Sequence, residues 1–232
     1  MRSSTWRALG NTYRLVEPGE KRLDAASARE LATGTDGVLE VVSATDDSVS
    51  IVIWNADGST AELSGNGTRI AAAWLSEQTG AGVIDVVVGS RTVRARVLES
   101  GEIEQDLGEV VVGQPETADG IAFVPVSVGN PHAVVIGDPA EIARIGPLLE
   151  THPRFPERTN VQIVRVDAQG DVTARVWERG VGETLSSGTS AVAVAAATHG
   201  DGTVVIHFPG GDLLVRLAAG RATLIGSAER VG

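Results

Sequence analysis

Two short stretches carry residues that could do chemistry: Ala61 to Trp74 (AELSGNGTRIAAAW) and Thr184 to Ala197 (TLSSGTSAVAVAAA). In each, a polar turn carrying a serine, Ser64 or Ser187, runs straight into an Ala-rich segment. Alanine is the strongest helix former, so both segments are expected to be helical. The turns then lie at helix N-termini, where N–H groups without intrahelical acceptors and the macrodipole favour an anion. Gly65 and Gly67 allow a ligand to approach the backbone closely. A carboxylate held at such turns, with a serine on either side, suits stereoinversion: one group takes an α-proton and the other returns it from the far face. That proton is a very weak acid, so preorganised dipoles must stabilise the developing charge.

One spacing lays the first stretch on the second. Ser64 falls on Ser187, Gly65 on Gly188, Asn66 on Thr189, Gly67 on Ser190, and Ala72-Ala73 on Ala195-Ala196. Trp54 falls on Trp177, each ten residues before its serine, and Gly10-Asn11 is echoed at a similar spacing by Gly129-Asn130. Tryptophans and a Gly-Asn pair are not low-complexity residues, so the echo indicates two halves of one plan, each reading strand, turn, helix.

Composition narrows the chemistry. The chain has 232 residues, 42% of them hydrophobic and 21% charged, as expected of a soluble globular protein. Its formal charge of −11 argues against a nucleic-acid partner, since no basic stripe exists to neutralise phosphates. No apolar run is long enough to span a bilayer, and MRSSTWRALGN lacks the apolar core of a signal peptide, so a cytoplasmic location without a membrane partner is expected. The absence of cysteine removes disulfides, thiolate metal sites and thiol catalysis together. The single lysine, Lys21, sits in the polar run EPGEKRLD and is a poor candidate for a pyridoxal-phosphate Schiff base. The four histidines show no metal-binding spacing, and no cofactor or metal is called for.

The elements that must position the serines follow from periodicity. Thr12 to Glu17 reads as a strand, and Asp24 to Ala32 as a helix capped by Asp24. Val38 to Val42 with Val49 to Trp54, and Val83 to Val88 with Thr92 to Leu98, read as hairpins, and Glu102 to Val112 as a further strand. The polar stretch Gly113 to Gly120, with Pro115, is the best linker candidate. Beyond it, strands are expected at Ile121 to Val128 and Ala133 to Ile136, and a helix at Pro139 to Leu149. Strands at Val161 to Val166 and Val172 to Trp177 then flank an Asp-Ala-Gln-Gly turn. After the second serine turn come Thr203 to Phe208, Asp212 to Leu217 and Ala222 to Ile225. Many strands with one prominent helix per half give an α+β class, each half a curved, mostly antiparallel sheet wrapped on a central helix. The halves are expected at residues 1–113, with 222–232 returning to them, and 114–221.

The segments ALGNTY, NADGSTAELSGNGTR, VSVGNPH, FPERTN, WERGVGETLSSGTS, PGGDL and LIGSAERV together resemble the diaminopimelate epimerase family, and they span nearly the whole chain. Members of that family are cofactor-independent amino-acid epimerases of lysine and peptidoglycan synthesis. The resemblance implies two mirrored α/β halves with a substrate cleft between them. It also implies substrate contacts from Asn11, Asn55, Asn130, Asn160, Glu178 and Arg179, with the α-carboxylate on the turns Gly65-Asn66 and Gly188-Thr189. It leaves homodimer formation open. The departure is central: the positions of the family's two catalytic cysteines are Ser64 and Ser187. A free thiol has a pKa of about 8.5 and is readily tuned down near a helix terminus. An alkanol is a far weaker acid and needs a partner to take its proton. His132 and Glu178 match family residues near the catalytic pair and are the candidate partners. Ser190 stands where the family usually has glycine.

The expected activity is therefore racemisation or epimerisation by two-base α-proton transfer, weakened or lost through the serines. Two alternatives fit the same letters: a homologue with one-face dehydratase or isomerase chemistry, and a non-catalytic amino-acid-binding protein. A serine hydrolase would need a G-x-S-x-G elbow, and a dinucleotide site a third glycine; neither is present at these turns. Apart from the resemblance, Asn11 and Asn130 read equally as turn residues and Glu178-Arg179 as a solvated strand end. Trp54 and Trp177 read as core anchors.

Overall fold

The computed structural model describes residues 2–167 and 170–232. The inner residues of the Asp-Ala-Gln-Gly turn, Ala168 and Gln169, lie outside the described residues. The chain forms two compact units, Met1–Asp106 with Ile225–Gly232, and Leu107–Leu224.

The first unit contains strands β1 (Ser3–Ala8), β2 (Asn11–Val16), β3 (Gly37–Ala44), β4 (Ser48–Asn55), β5 (Thr60–Ala61), β6 (Val83–Val88) and β7 (Arg91–Val97), with helices α1 (Ala25–Leu31) and α2 (Gly65–Thr79). Strand β8 (Ile103–Glu109) runs over the boundary into the second unit. There follow β9 (Val111–Val112), β10 (Glu116–Ala118), β11 (Ile121–Ser127), β12 (Pro131–Ile136), β13 (Asn160–Val166), β14 (Val172–Glu178), β15 (Gly182–Thr184), β16 (Gly202–Phe208) and β17 (Gly211–Ala218), with helices α3 (Ile142–Glu150) and α4 (Gly188–Thr198). The chain ends with β18 (Arg221–Gly226) and β19 (Glu229–Arg230).

The two units repeat one order of pairing. In the first, β1 and β2 form an antiparallel hairpin, α1 crosses over, and β3 lies parallel to β2. Then β4 turns back antiparallel on β3, β5 on β4, α2 follows, and β6 lies parallel to β4 before pairing with β7. In the second, β11–β12, α3, β13, β14, β15, α4, β16 and β17 repeat every sign: antiparallel β11–β12, parallel β12–β13, antiparallel β13–β14 and β14–β15, parallel β14–β16, antiparallel β16–β17. The α+β class read from the sequence is what the structure has.

Each unit is built on its second helix. Residues 65–72 of α2 and 188–195 of α4 are all buried, so both helices begin inside their sheets. Ile70, Ala71, Ala72 and Leu75 of α2 pack with Leu15, Leu39, Ile51, Ile53, Ile84 and Val86 from the surrounding strands. Small residues suit this position, because a bulkier run could not be enclosed on all sides at the packing density of an interior. Helix α2 ends at Gly80, whose left-handed φ of 78° lets its N–H reach the Ser76 carbonyl.

Several local expectations shift. The helix expected from Pro139 starts as a 3-10 turn at Pro139–Glu141 and becomes α-helical from Ile142. The strand expected over Glu102 to Val112 divides into β8 and β9. Gly113 to Gly120 is not bare linker: β10 pairs with β11, and Arg154 donates to both oxygens of Glu116 at 2.6 and 2.7 Å. Among the described residues, no helix is long and apolar enough to cross a membrane.

The paired tryptophans serve one device in each unit. Trp54 Nε1 donates to Glu40 Oε2 at 3.0 Å, and Trp177 Nε1 donates to Glu150 Oε2 at 2.7 Å. Both carboxylates are buried and each also takes an arginine and a backbone N–H: Arg22 and Leu23 on Glu40, Arg158 and Gly180 on Glu150. Burial alone would push the Glu40 carboxyl up, but these donors outweigh it and hold the group below the usual carboxylate range. Gly146 lets α3 press on the second tryptophan, since a Cβ there would lie 2.7 Å from Trp177 Cβ. Removing one donor from a buried carboxylate costs about 1.5–3 kcal/mol. Trp54→Phe and Trp177→Phe are each expected to lower unfolding free energy by about that amount, measured as a shift of the urea midpoint.

Candidate active site

In the first unit, Ser64 caps α2. Its Oγ accepts from the Gly67 N–H at 3.0 Å, and its carbonyl accepts from the Thr68 N–H at 2.9 Å. Gly67 keeps this turn open, since a Cβ would come within 2.9 Å of Leu39 Cδ2 and 3.3 Å of Ser64 Cβ and push both aside. The Ser64 Oγ also lies 3.3 Å from Tyr13 Oη. Tyr13 sits on β2 two residues after Asn11, and its ring occupies space that a side chain at Gly37 would fill, 3.0 Å from the ideal Cβ position. Behind the capped turn lies Arg69, wholly buried. Its Nη2 donates to Asn66 Oδ1 and its Nε to the Ser227 carbonyl at 3.3 Å, while Nη1 has no hydrogen-bond partner among the described residues. Burial pushes this guanidinium down to about 10, with Tyr13 acting in the opposite direction.

In the second unit, Ser187 takes the N-cap position of α4, and its carbonyl accepts from the Ala191 N–H at 2.9 Å. Its hydroxyl makes no capping bond. Gly188, Thr189 and Ser190 are buried with it. Asn160 is held at both ends: Nδ2 donates to the Pro131 carbonyl and Oδ1 accepts from the Arg179 N–H, each at 3.0 Å. Its amide fastens the loop before β12 to the turn after β14, which fixes the orientation of Asn160. Glu178 Oε1 accepts from the Thr184 hydroxyl at 2.6 Å, and Arg179 Nη1 donates to the Glu157 carbonyl at 3.2 Å.

Both ring nitrogens of His132 are engaged. Gln162 Nε2 donates to Nδ1 at 3.0 Å and, at 2.9 Å, to Ser190 Oγ. The ring proton then sits on Nε2 and donates to Asn130 Oδ1 at 3.0 Å. Burial, with the Arg179 charge adding to it, pushes the imidazole down to about 3. The neutral ring, engaged at both nitrogens, fixes Asn130 through Nε2–H. Asn55 is similarly tied, its Nδ2 donating to Ser59 Oγ at 2.9 Å within the turn after β4, while Asn11 is buried at the start of β2.

The sequence reading missed Tyr13, Arg69, Gln162 and Glu150. A signal existed for three of them. Tyr13 is the only tyrosine and follows the Gly10-Asn11 pair, where His132 follows Gly129-Asn130. Arg69 and Gln162 are polar residues inside runs that are otherwise apolar, RIAAA and VQIV.

The His132 geometry has a pH consequence. In the unfolded chain the imidazole titrates near 6.5, whereas in the fold it stays neutral down to about 3. Below about 6.5 the unfolded state therefore binds the extra proton, and this group's contribution to stability falls by about 1.4 kcal/mol per pH unit as pH drops towards 3. Nitrogen-15 NMR at pH 5 is expected to show His132 as the neutral Nε2–H tautomer. An imidazolium signal at that pH would contradict the assignment.

The family profile described as Diaminopimelate epimerase matches residues 124–231. A protein named diaminopimelate epimerase 2 from Nostoc sp. is 31% identical over 94% of this chain and 88% of its own length. A diaminopimelate epimerase from Desulforudis audaxviator is 38% identical over 88% of this chain and 84% of its own. Among solved structures, a predicted epimerase from Pseudomonas aeruginosa superposes with a TM-score of 0.80 at 19% identity, covering 100% of this chain and 97% of that one, a likeness of fold.

Proposed function

Because this chain belongs to the diaminopimelate epimerase family, we propose that it is an amino-acid epimerase or racemase without pyridoxal phosphate, moving the α-proton with Ser64 and Ser187. The observation that carries this reading is the duplicated device at α2 and α4: a serine at the N-cap position, and a buried first turn of small residues behind it. First-turn N–H groups have no intrahelical acceptors, and a helix N-terminus favours a carboxylate, so each turn suits an α-carboxylate through Gly65-Asn66 or Gly188-Thr189. The same dipoles stabilise the charge that develops when Cα–H breaks. His132, by holding Asn130 Oδ1, turns the NH2 end of that amide towards a ligand acceptor. Asn11, Asn55, Asn160, Glu178 and Arg179 complete the proposed substrate contacts. Glu178, fixed by Thr184, is the carboxylate suited to a substrate ammonium group.

In this reading the two serines work on opposite faces of Cα. One accepts the proton, the charge spreads into the held carboxylate, and the other serine delivers a proton from the opposite side. Serine is a slower acid and base than a thiol, so turnover is expected to be low. The substrate is a small α-amino acid, and the diaminopimelate isomers are the first to test because they are what the family's name specifies.

Deuterium wash-in at Cα, followed by proton NMR, tests the reading. Slow exchange is expected for the protein as it stands. Introducing Ser64→Cys together with Ser187→Cys is expected to raise the rate by about 10²–10⁴, the range spanned by effective acid–base catalysis. Exchange absent from both proteins across an amino-acid panel would remove the reading. A serine protein faster than its cysteine counterpart would refute the thiol argument.

A further inference from the structure

We propose that Tyr13 is the proton acceptor for Ser64, so that Ser64 and Tyr13 act as a dyad and the two serines are not equivalent. This rests on the α-proton transfer proposed above. The Ser187 hydroxyl makes no capping bond to its helix, whereas Ser64 Oγ is engaged by the Gly67 N–H at 3.0 Å and by Tyr13 Oη at 3.3 Å. With one lone pair of Oγ taken by Gly67, the hydroxyl proton is directed to Tyr13, and the remaining lone pair is left for an incoming proton. Ser64 is half-buried and reachable by a small molecule, while Tyr13 is buried and fixed by its packing at Gly37.

Two features near Tyr13 offset what burial costs a phenolate. Arg69 brings a wholly buried cation into the first turn of α2, where the helix dipole is also positive. Its two bonded nitrogens meet neutral acceptors, Asn66 Oδ1 and the Ser227 carbonyl, and its Nη1 has none among the described residues. A buried charge without an ionic partner is costly, so this site is electrostatically incomplete until an anion arrives. Tyr13 is the ionisable group in electrostatic reach of it. The strand neighbours in register with Tyr13 are Trp6 on β1 and Gly37 on β3, and neither carries charge.

The step balances without an added reactant. The Tyr13 phenolate takes the Ser64 hydroxyl proton as Ser64 Oγ takes the α-proton. The old Oγ–H and the Cα–H bonds break, while an Oη–H and a new Oγ–H bond form. The electron pair of Cα–H stays on the substrate and spreads into its carboxylate, so the negative charge passes from Tyr13 to the substrate. Reversal of the same steps returns a proton to Cα. A phenol, with a pKa of about 10, is a far better reservoir for that charge than an alkanol.

Two measurements decide this. Tyr13→Phe keeps the ring and removes the hydroxyl. It is expected to cut α-deuterium exchange with diaminopimelate about 100-fold, and Ser64→Cys added to Tyr13→Phe is expected to restore exchange, because a thiol needs no phenolate. A Tyr13→Phe rate within about twofold of the parent overturns the dyad, because general acid–base partners contribute far more. So does a serine protein that exchanges nothing while the double-cysteine protein does; silence of both proteins sinks instead the proposed function. The second measurement needs no turnover. Tyr13 is the sole tyrosine, so carbon-13 labelling at Cζ gives one resonance. Ser64→Ala removes the hydrogen bond to the phenolate and is expected to move the titration midpoint to higher pH. An unmoved midpoint overturns the dyad whatever the exchange results.

Discussion

The constraint on which each unit depends is that its central helix begins in the interior. A helix N-terminus leaves donors that cannot be satisfied within the helix, and burying them requires either local acceptors or a ligand. Residues 65–72 and 188–195 are buried throughout, so the first turns of α2 and α4 cannot fall back on bulk water as a surface helix would. The small residues that make this burial sterically feasible are the same ones that allow a ligand near the backbone. Packing and binding thus draw on one composition, and a Cβ at Gly67 would intrude on both Leu39 and Ser64.

Once the helix starts inside, the strands around it must deliver polar groups in register. The hairpin β1–β2 sets Tyr13 opposite Trp6, and the parallel pairing of β2 with β3 brings Gly37 beside Tyr13, opening the space that the ring takes. In the second unit the parallel pairing of β12 with β13 sets His132 opposite Asn160 and Val134 opposite Gln162. Gln162 then joins the imidazole to the first turn of α4 through Ser190. The buried carboxylates Glu40 and Glu150 hold the tryptophan that precedes each serine turn. Strand ends, turns and helix starts are in this way fastened to one another by side chains rather than by the ladders alone.

Much of this was legible in the chain because it is local. In each half the serine, the glycine after it and the alanines that follow lie in one short run of sequence, and the repeated Trp and Gly-Asn markers expose the duplication directly. What escaped depends on contacts distant in sequence. Nothing local to Glu40 or Glu150 marks them as buried, since the arginines that reach them, Arg22 and Arg158, come from other segments. Strands β5 and β15 have two and three residues, too few for alternation to register. The polar run around Pro115 read as linker because nothing local announces that Arg154 will clamp Glu116. The partnership of Tyr13 with Ser64 spans 51 positions and needs the register of a sheet against a helix.

Duplication makes the differences between the units informative. Tyr13 and His132 stand two residues after Asn11 and Asn130, on strands that occupy the same place in the repeated order. The imidazole turns away to Asn130 and Gln162 and is kept neutral by burial, while the phenol reaches the capping serine. The helix starts diverge with them: Arg69 on α2 brings a buried cation, and α4 begins with Gly188, Thr189 and Ser190, which bring none. Ser64, whose hydroxyl lies against a titratable phenol, caps the helix that carries this buried charge. The unit without that charge has a neutral polar network in its place. The backbone of the turn is extended at both serines, so a difference in acid–base strength between Ser64 and Ser187 comes from these neighbours and from the capping bond that only Ser64 makes to its helix.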